Sequence, residues 1–278
     1  MIALEIAAYA IIVTFVFVRA RFGPDPRAFL RRLALLAVAS FLVEDSVIRA
    51  YGFYHYDPGW SVFVDRVPLA VLLIWPVVIH SSWELARALI GAEHRAVPLA
   101  GGLLVLADAS LIEPISVRAG LWTWTEPGLF SVPPIGILGW ALYASLCMLV
   151  FQHAESRRAW HIDLLTWVLA PLGTHVLLLV CWWGLFRWVN TTWNPWPVVG
   201  AAWLLSFVLA LWSVRVRARF RVLPRDMLTR VPAASFFFVL LARDGRDDVA
   251  LVCYALAFAL PYLTLMRGPS RWLRREMV

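Results

Sequence analysis

The sequence predicts an all-α protein, a polytopic membrane helical bundle of about seven or eight transmembrane helices. Three observations predict it. Of the 278 residues, 62% are apolar and only 15% are charged, too little polar surface for a water-soluble domain of this length. The apolar residues gather in windows of about 20, the length an α-helix needs to cross a bilayer core. Those windows are continuous rather than alternating, which separates them from the strands of a membrane β-barrel.

In chain order the windows fall at residues 1–19, 33–52, 66–90, 97–118, 133–153, 162–187, 196–214 and 249–266. The first, "MIALEIAAYAIIVTFVFVRA", has no basic lead and no small-residue cleavage site, so it reads as a retained helix rather than a secretory leader. The second holds Glu44 and Asp45 one or two turns from its end. The third carries His80 and Glu84, four apart and hence on one helix face. Asp108 and Glu113 occupy the fourth, Trp140 the fifth and His175 the sixth. A further apolar stretch, "VPAASFFFVLLA" (231–242), is short for a crossing and leaves the side of the C-terminal tail open. No repeat or composition shift divides the chain, so residues 1–278 read as a single integral membrane domain.

The net charge of +7 comes from 25 basic residues, all of them arginine. With no lysine, no Schiff base to a retinal or ketone can form, and a rhodopsin is excluded. The basic excess fits cytoplasmic loops and anionic lipid heads rather than nucleic acid. The loops sort accordingly. Residues 19–32 hold Arg19, Arg21, Arg27, Arg31 and Arg32; the loop near 153–161 holds Arg157 and Arg158; residues 215–230 hold Arg215, Arg217, Arg219, Arg221, Arg225 and Arg230. Loops 53–65, 119–132 and 188–195 are arginine-poor and rich in Trp, Tyr, Pro and Gly. By the positive-inside rule the N-terminus faces out and the basic loops face the cytoplasm, as expected for a multi-pass protein of the bacterial inner membrane. Cys147, Cys181 and Cys253 lie far apart without a CxxC and read as packing residues.

A carboxylate near the bilayer centre costs roughly 2.5–3.5 kcal/mol on insertion scales and usually faces the bundle interior. For Glu44 and Asp108 a functional role outweighs simple helix-to-helix hydrogen bonding. Asp45 points about 100° away from Glu44, and Asp108 and Glu113 are about 140° apart on their helix. Glu84 reads as solvated at an interface and His175 as a packing histidine; for His80 packing and function weigh evenly. Among the 16 tryptophans, Trp60, Trp188, Trp193 and Trp196 suit an interfacial belt. Trp75, Trp140 and Trp167 are deeper, where ring faces can stabilise a cation or line a polyene pocket. A glycine-rich nucleotide loop, a Walker motif, histidine clusters and DDxxD are all missing from the sequence. The expectation is acid chemistry inside lipid with no cofactor and no metal.

The order of features resembles a known family. Glu44 precedes "GFYHY"; then come "VPLAVLLIWPVVIHSSWELA", an Asp-x4-acid-Pro at Asp108–Pro114, "GLWTW", and "VPPIGILGW". From Glu44 to Trp140 this is similar to membrane carotenoid-biosynthesis proteins of the carotenoid 1',2'-hydratase type, bisanhydrobacterioruberin hydratase among them, and more distantly to membrane-type lycopene cyclases. Two positions depart from the family: Glu113 stands before Pro114 where Asp is frequent, and Gly136-Ile137 where Asn-Phe is frequent. A lost amide there implies a changed substrate or outcome.

The resemblance implies a linear carotenoid with an isopropylidene end. A general acid protonates its double bond to a tertiary cation, which water captures in a hydratase and a neighbouring double bond captures in a cyclase. Both need a carboxylic acid kept protonated, and a low-dielectric site disfavours the charged form. Asp108, Glu113 and Glu44 are the expected catalytic residues, Asp108 first as donor. Tyr54, Trp75, His80, Trp122, Trp124 and Trp140 are the expected substrate contacts. The expected site is a long apolar slot open sideways to lipid with the acids at its closed end. A cyclase or isomerase on the same end group, and a non-enzymatic polyene transporter or binding protein, are the alternatives. The implied partners are a linear carotenoid or related polyene, membrane lipids and other enzymes of the pathway.

Overall fold

The structure is a computed structural model that describes residues 1–216 and 230–266. Its helices are α1 (Ile2–Phe22), α2 (Pro26–Tyr51), α3 (Leu69–Ile90), α4 (Val97–Arg118), α5 (Pro134–Arg157) and α6 (Thr166–Cys181). A π turn at Trp182–Phe186 and the short α7 (Arg187–Val189) prolong α6, and α8 (Pro195–Val216), α9 (Arg230–Asp244) and α10 (Val249–Met266) complete the bundle. Six of the eight expected crossings are long and apolar enough to span a membrane by length and composition: α1, α3, α4, α5, α6 with its extension, and α8. At 26 residues α2 is long enough, about 39 Å at 1.5 Å per residue, but its charges dilute its apolar character. The 18-residue α10 is apolar and about 27 Å long. Arg217, Arg219, Arg221, Arg225 and the tail 267–278 lie outside the described residues.

Local chemistry sets the boundaries. Asp25 caps α2, its carboxylate accepting from the Ala28 amide at 3.0 Å, with Pro26 in the first turn, where proline's missing N–H costs nothing. The chain leaves α2 through Gly52 at φ 61°, a left-handed conformation glycine adopts without strain. In α4, Gly101 and Gly102 face Met148 and Ser145 of α5 so closely that a Cβ would collide with either side chain. Small residues of this kind let two membrane helices approach.

The two ends of the bundle differ. At one end the connections fold into two small antiparallel sheets, β1 (Tyr54–Tyr56) with β4 (Trp122–Trp124) and β2 (Phe63–Val64) with β3 (Val67–Pro68). At the other, arginines dominate. Arg31 and Arg32 share Asp163, and Arg32 and Arg87 share Glu155, so α2, α3, α5 and the turn Trp160–Leu165 are tied together by ion pairs. Asp163 is fully buried there.

The last helices settle what the sequence leaves open. Trp203, Ser206 and Ser213 of α8 bond in turn to Cys253, Ala257 and Thr264 of α10. Both series climb together, so α8 and α10 run parallel, and α10 ends at the arginine-rich end. The stretch 231–242 lies in α9, which starts at mid-bundle where Arg230 meets Asp108 and ends beside Arg118 at the sheet-capped end. It is a half-crossing, about 22 Å long for its 15 residues.

Candidate functional site

Two glutamates sit at matched depth below the β1–β4 sheet. Glu44 lies seven residues before the end of α2 and Glu113 five before the end of α4, about 10 and 8 Å down their helices. Trp75 and Trp140 lie six residues into α3 and α5, at the same level. Above them, β1 and β4 pair with Tyr54 opposite Trp124 and Tyr56 opposite Trp122. Because side chains alternate across a strand, His55 and Thr123 face out, while the two tyrosines and two tryptophans of "YHY" and "WTW" point down into the bundle.

Each glutamate receives three hydrogen bonds in the same pattern. Glu113 Oε2 accepts from Trp122 Nε1 at 2.8 Å and Trp124 Nε1 at 2.9 Å, and its Oε1 accepts from Trp140 Nε1 at 2.7 Å. Glu44 Oε2 accepts from the Tyr54 and Tyr56 hydroxyls, the latter at 2.9 Å, and its Oε1 from Trp75 Nε1 at 2.8 Å. The two cages touch: Trp75 and Trp140 have ring centroids 4.5 Å apart, and Tyr54 and Trp124 4.7 Å. Burial first, and the Glu44 carboxylate second, push the Tyr54 and Tyr56 phenols well above their ordinary range, so both remain neutral hydroxyls.

The partners differ in one respect that matters for chemistry. An indole N–H only donates, whereas a phenol both donates and accepts. A proton carried by Glu113 therefore has no acceptor within its indole cage and must face whatever occupies the adjoining space. A proton on Glu44 can pass to or from a tyrosine.

That space is a cavity of about 410 Å³, within the range of small-molecule sites. Glu44, Asp108 and Glu113 all line it, as do Tyr54, Trp75, Trp122, Trp124 and Trp140. Most of its wall is apolar, from Leu4 and Ile11 of α1, Val71 and Ile74 of α3, Leu111 of α4, and Phe236 to Phe238 of α9. At the end far from the glutamates, Arg230 bridges an ion pair with Asp108 to the hydroxyls of Ser81 and Ser82, each at 3.1 Å, and of Tyr262 at 3.2 Å.

The structure thus brings together eight of the nine residues expected from the sequence, with two corrections. Asp108 is not the cavity's free acid: bound to Arg230 and accepting from Tyr262 at 3.2 Å, it is the anion of an ion pair. His80 does not reach the cavity. It lies five residues beyond Trp75 in α3, packed against Phe29 and Phe151 with centroids at 4.9 and 6.3 Å, in a separate pocket at the arginine-rich end.

Other residues also find their places. Asp45 turns away from Glu44 to pair with Arg49, and Glu84 pairs with Arg19. His175 joins Ser46 at 2.8 Å and Tyr51 at 2.7 Å, tying α6 to α2. The Ser46 hydroxyl also bonds to the Leu42 carbonyl, so the group is a packing network rather than an activated nucleophile. Trp60 is buried, its indole donating to the Leu121 carbonyl at 3.0 Å, and is not in the interfacial belt; Trp167 is 40% exposed rather than deep. Sequence reasoning missed Tyr56, Arg230 and Tyr262. For Tyr56 the alternation within "YHY" is the signal; for the other two the partner lies over 100 residues away and no local signal exists.

A family model described as carotenoid biosynthesis protein matches residues 2–209. The chain belongs to the carotenoid biosynthesis protein family. Both glutamates and all six of their donors fall inside the match, while Arg230 and Tyr262 fall beyond it. No curated protein and no solved structure matches the chain significantly.

Proposed function

We propose that this family member hydrates the terminal isopropylidene double bond of a linear carotenoid, with Glu113 as proton donor. The observation that carries the reading is the pair of caged glutamates at one end of an apolar cavity. Glu113 gives its proton to the less substituted carbon of the double bond, leaving a tertiary cation. Trp75, Trp122, Trp124 and Trp140 line the cavity beside that position, and indole rings attract a cation without reacting with it. One water adds to the cation, and its released proton passes to the Glu44 carboxylate. After the product leaves, the proton held by Glu44 passes back to Glu113 through a water in the cavity that both carboxyls line, so the sum is alkene plus water giving a tertiary alcohol. The apolar wall between α1, α3 and α9 takes the polyene, whose length continues between these helices into lipid. The sheet above the glutamates limits water to what the cage holds, as capture by a single molecule requires.

The test is expression in cells that accumulate lycopene, followed by mass analysis of extracted pigments. The expected product is heavier than its precursor by one water per modified end. A product of unchanged mass with a ring end group would replace hydration by cyclisation, and unchanged pigment in well-expressing cells would remove the enzymatic reading.

A further inference from the structure

A second polar cavity, of about 480 Å³, opens at the arginine-rich end between α1, α2, α3 and α5. Arg19, Arg31, Arg32, Arg87 and Arg158 line it. Four carboxylates accompany them: Glu84 with Arg19, Glu155 and Asp163 with the central three, and Asp25 at the α2 cap. Five guanidinium groups against four carboxylates leave one positive charge, the complement of a phosphodiester. His80 lines the same cavity, 95% buried, and its Nε2 has no hydrogen-bond partner among the described residues. A buried polar atom without a partner is costly, and an anion's oxygen would satisfy it. The rim is made for lipid rather than water. Trp160 is 59% exposed and carries Arg31 against its ring, and Leu164 and Leu165 beside it are exposed as well.

We propose that this cavity binds the phosphodiester of an anionic phospholipid, with the acyl chains lying along Trp160, Leu164 and Leu165. Basic pockets between helices at the basic membrane face hold lipid heads in this way. The arginine fork suits phosphate oxygens, Arg158 at the rim supplies the charge that the central pairs lack, and His80 reaches the innermost oxygen.

Binding is measured on the full-length protein in neutral detergent, by calorimetric titration with short-chain phosphatidylglycerol, phosphatidylcholine and inorganic phosphate. Phosphatidylglycerol binds the wild type, and phosphatidylcholine, whose head is zwitterionic, binds at least about fivefold more weakly. Arg158→Asn and Arg31→Gln each weaken phosphatidylglycerol binding about fivefold. Arg158 sits in a left-handed C-cap at φ 52°, where asparagine is tolerated, so that variant keeps its fold. Arg66→Gln, on the exposed hairpin at the opposite end, leaves binding unchanged. Equal affinity for the two lipids, equal loss in Arg66→Gln, or no loss in either pocket variant overturns the site. Inorganic phosphate binding as tightly as phosphatidylglycerol overturns the lipid and leaves a free anion in its place.

Discussion

Asp108 and Glu113 stand five residues apart on one helix and line one cavity, yet their surroundings are opposite. Asp108 meets a guanidinium and a phenol. Glu113 meets three indoles. An ion pair commits a carboxylate to its charge, because neutralising it strands the buried arginine. An indole cage offers hydrogen bonds without a counter-charge, and takes no proton back. The same side-chain chemistry thus serves as a structural clasp at one point of α4 and as a candidate proton donor one and a half turns later. The helix alone does not decide the role; the neighbours do.

Asp108→Asn gives the largest expected effect on stability. It leaves Arg230 buried without its anion, a loss of about 3–5 kcal/mol, read as a lower unfolding temperature in detergent, while product still forms. Asp108→Leu combined with Arg230→Met removes both charges and recovers most of that stability. If the double replacement stays as unstable as the single one, the pair is not what holds α9 to α4.

On the other side of the comparison, Trp124→Phe keeps a ring over the cavity but removes one of the three donors to Glu113. A hydrogen bond to an ionisable group contributes about 1.5–3 kcal/mol to stability, so the unfolding temperature falls by less than in Asp108→Asn, and turnover falls roughly tenfold to a hundredfold as a group that steadies the conjugate base of the general acid is lost. Turnover equal to wild type would show that the cage does not tune Glu113.

The smallest effect belongs to Gly136. A Cβ there would stand 2.5 Å from Trp124 Cη2, so Gly136→Ala shifts the indole off Glu113 and costs about 1–3 kcal/mol in overpacking. In the Trp124→Phe background the same change adds nothing, because the crowded atoms are gone. Additive losses would separate Gly136 from the cage.

The helices were legible because membrane insertion writes them as long apolar runs. The windows 97–118 and 249–266 coincide with α4 and α10. The sequence places the start of α2 at 33, seven residues after Pro26, because Arg31 and Arg32 look like loop residues until Asp163, more than 130 residues away, pairs with them. Glu44 and Glu113 were legible as acids out of place, and the aromatic loops as caps. The β1–β4 pairing was not, though "YHY" and "WTW" each alternate, since two three-residue strands carry too little pattern to pair from sequence. Asp108 is not legible as half of an ion pair, because its partner Arg230 belongs to a distant helix. His80 shows the same limit, since nothing local distinguishes a histidine of the cavity from one at the arginine-rich end.

The most direct measurement sets the two acids side by side. Glu113→Gln and Asp108→Asn are expressed to equal levels in lycopene-accumulating cells, and the hydrated product is quantified by mass. The glutamine oxygen accepts from the indoles on one side only and its amide meets an indole N–H on the other, so the unfolding temperature of Glu113→Gln is measured beside its product; it has no proton to give, and general acids are worth about 10²–10⁴-fold in rate. The account predicts product from Asp108→Asn and essentially none from Glu113→Gln. Product from Glu113→Gln together with its loss in a folded Asp108→Asn would contradict it.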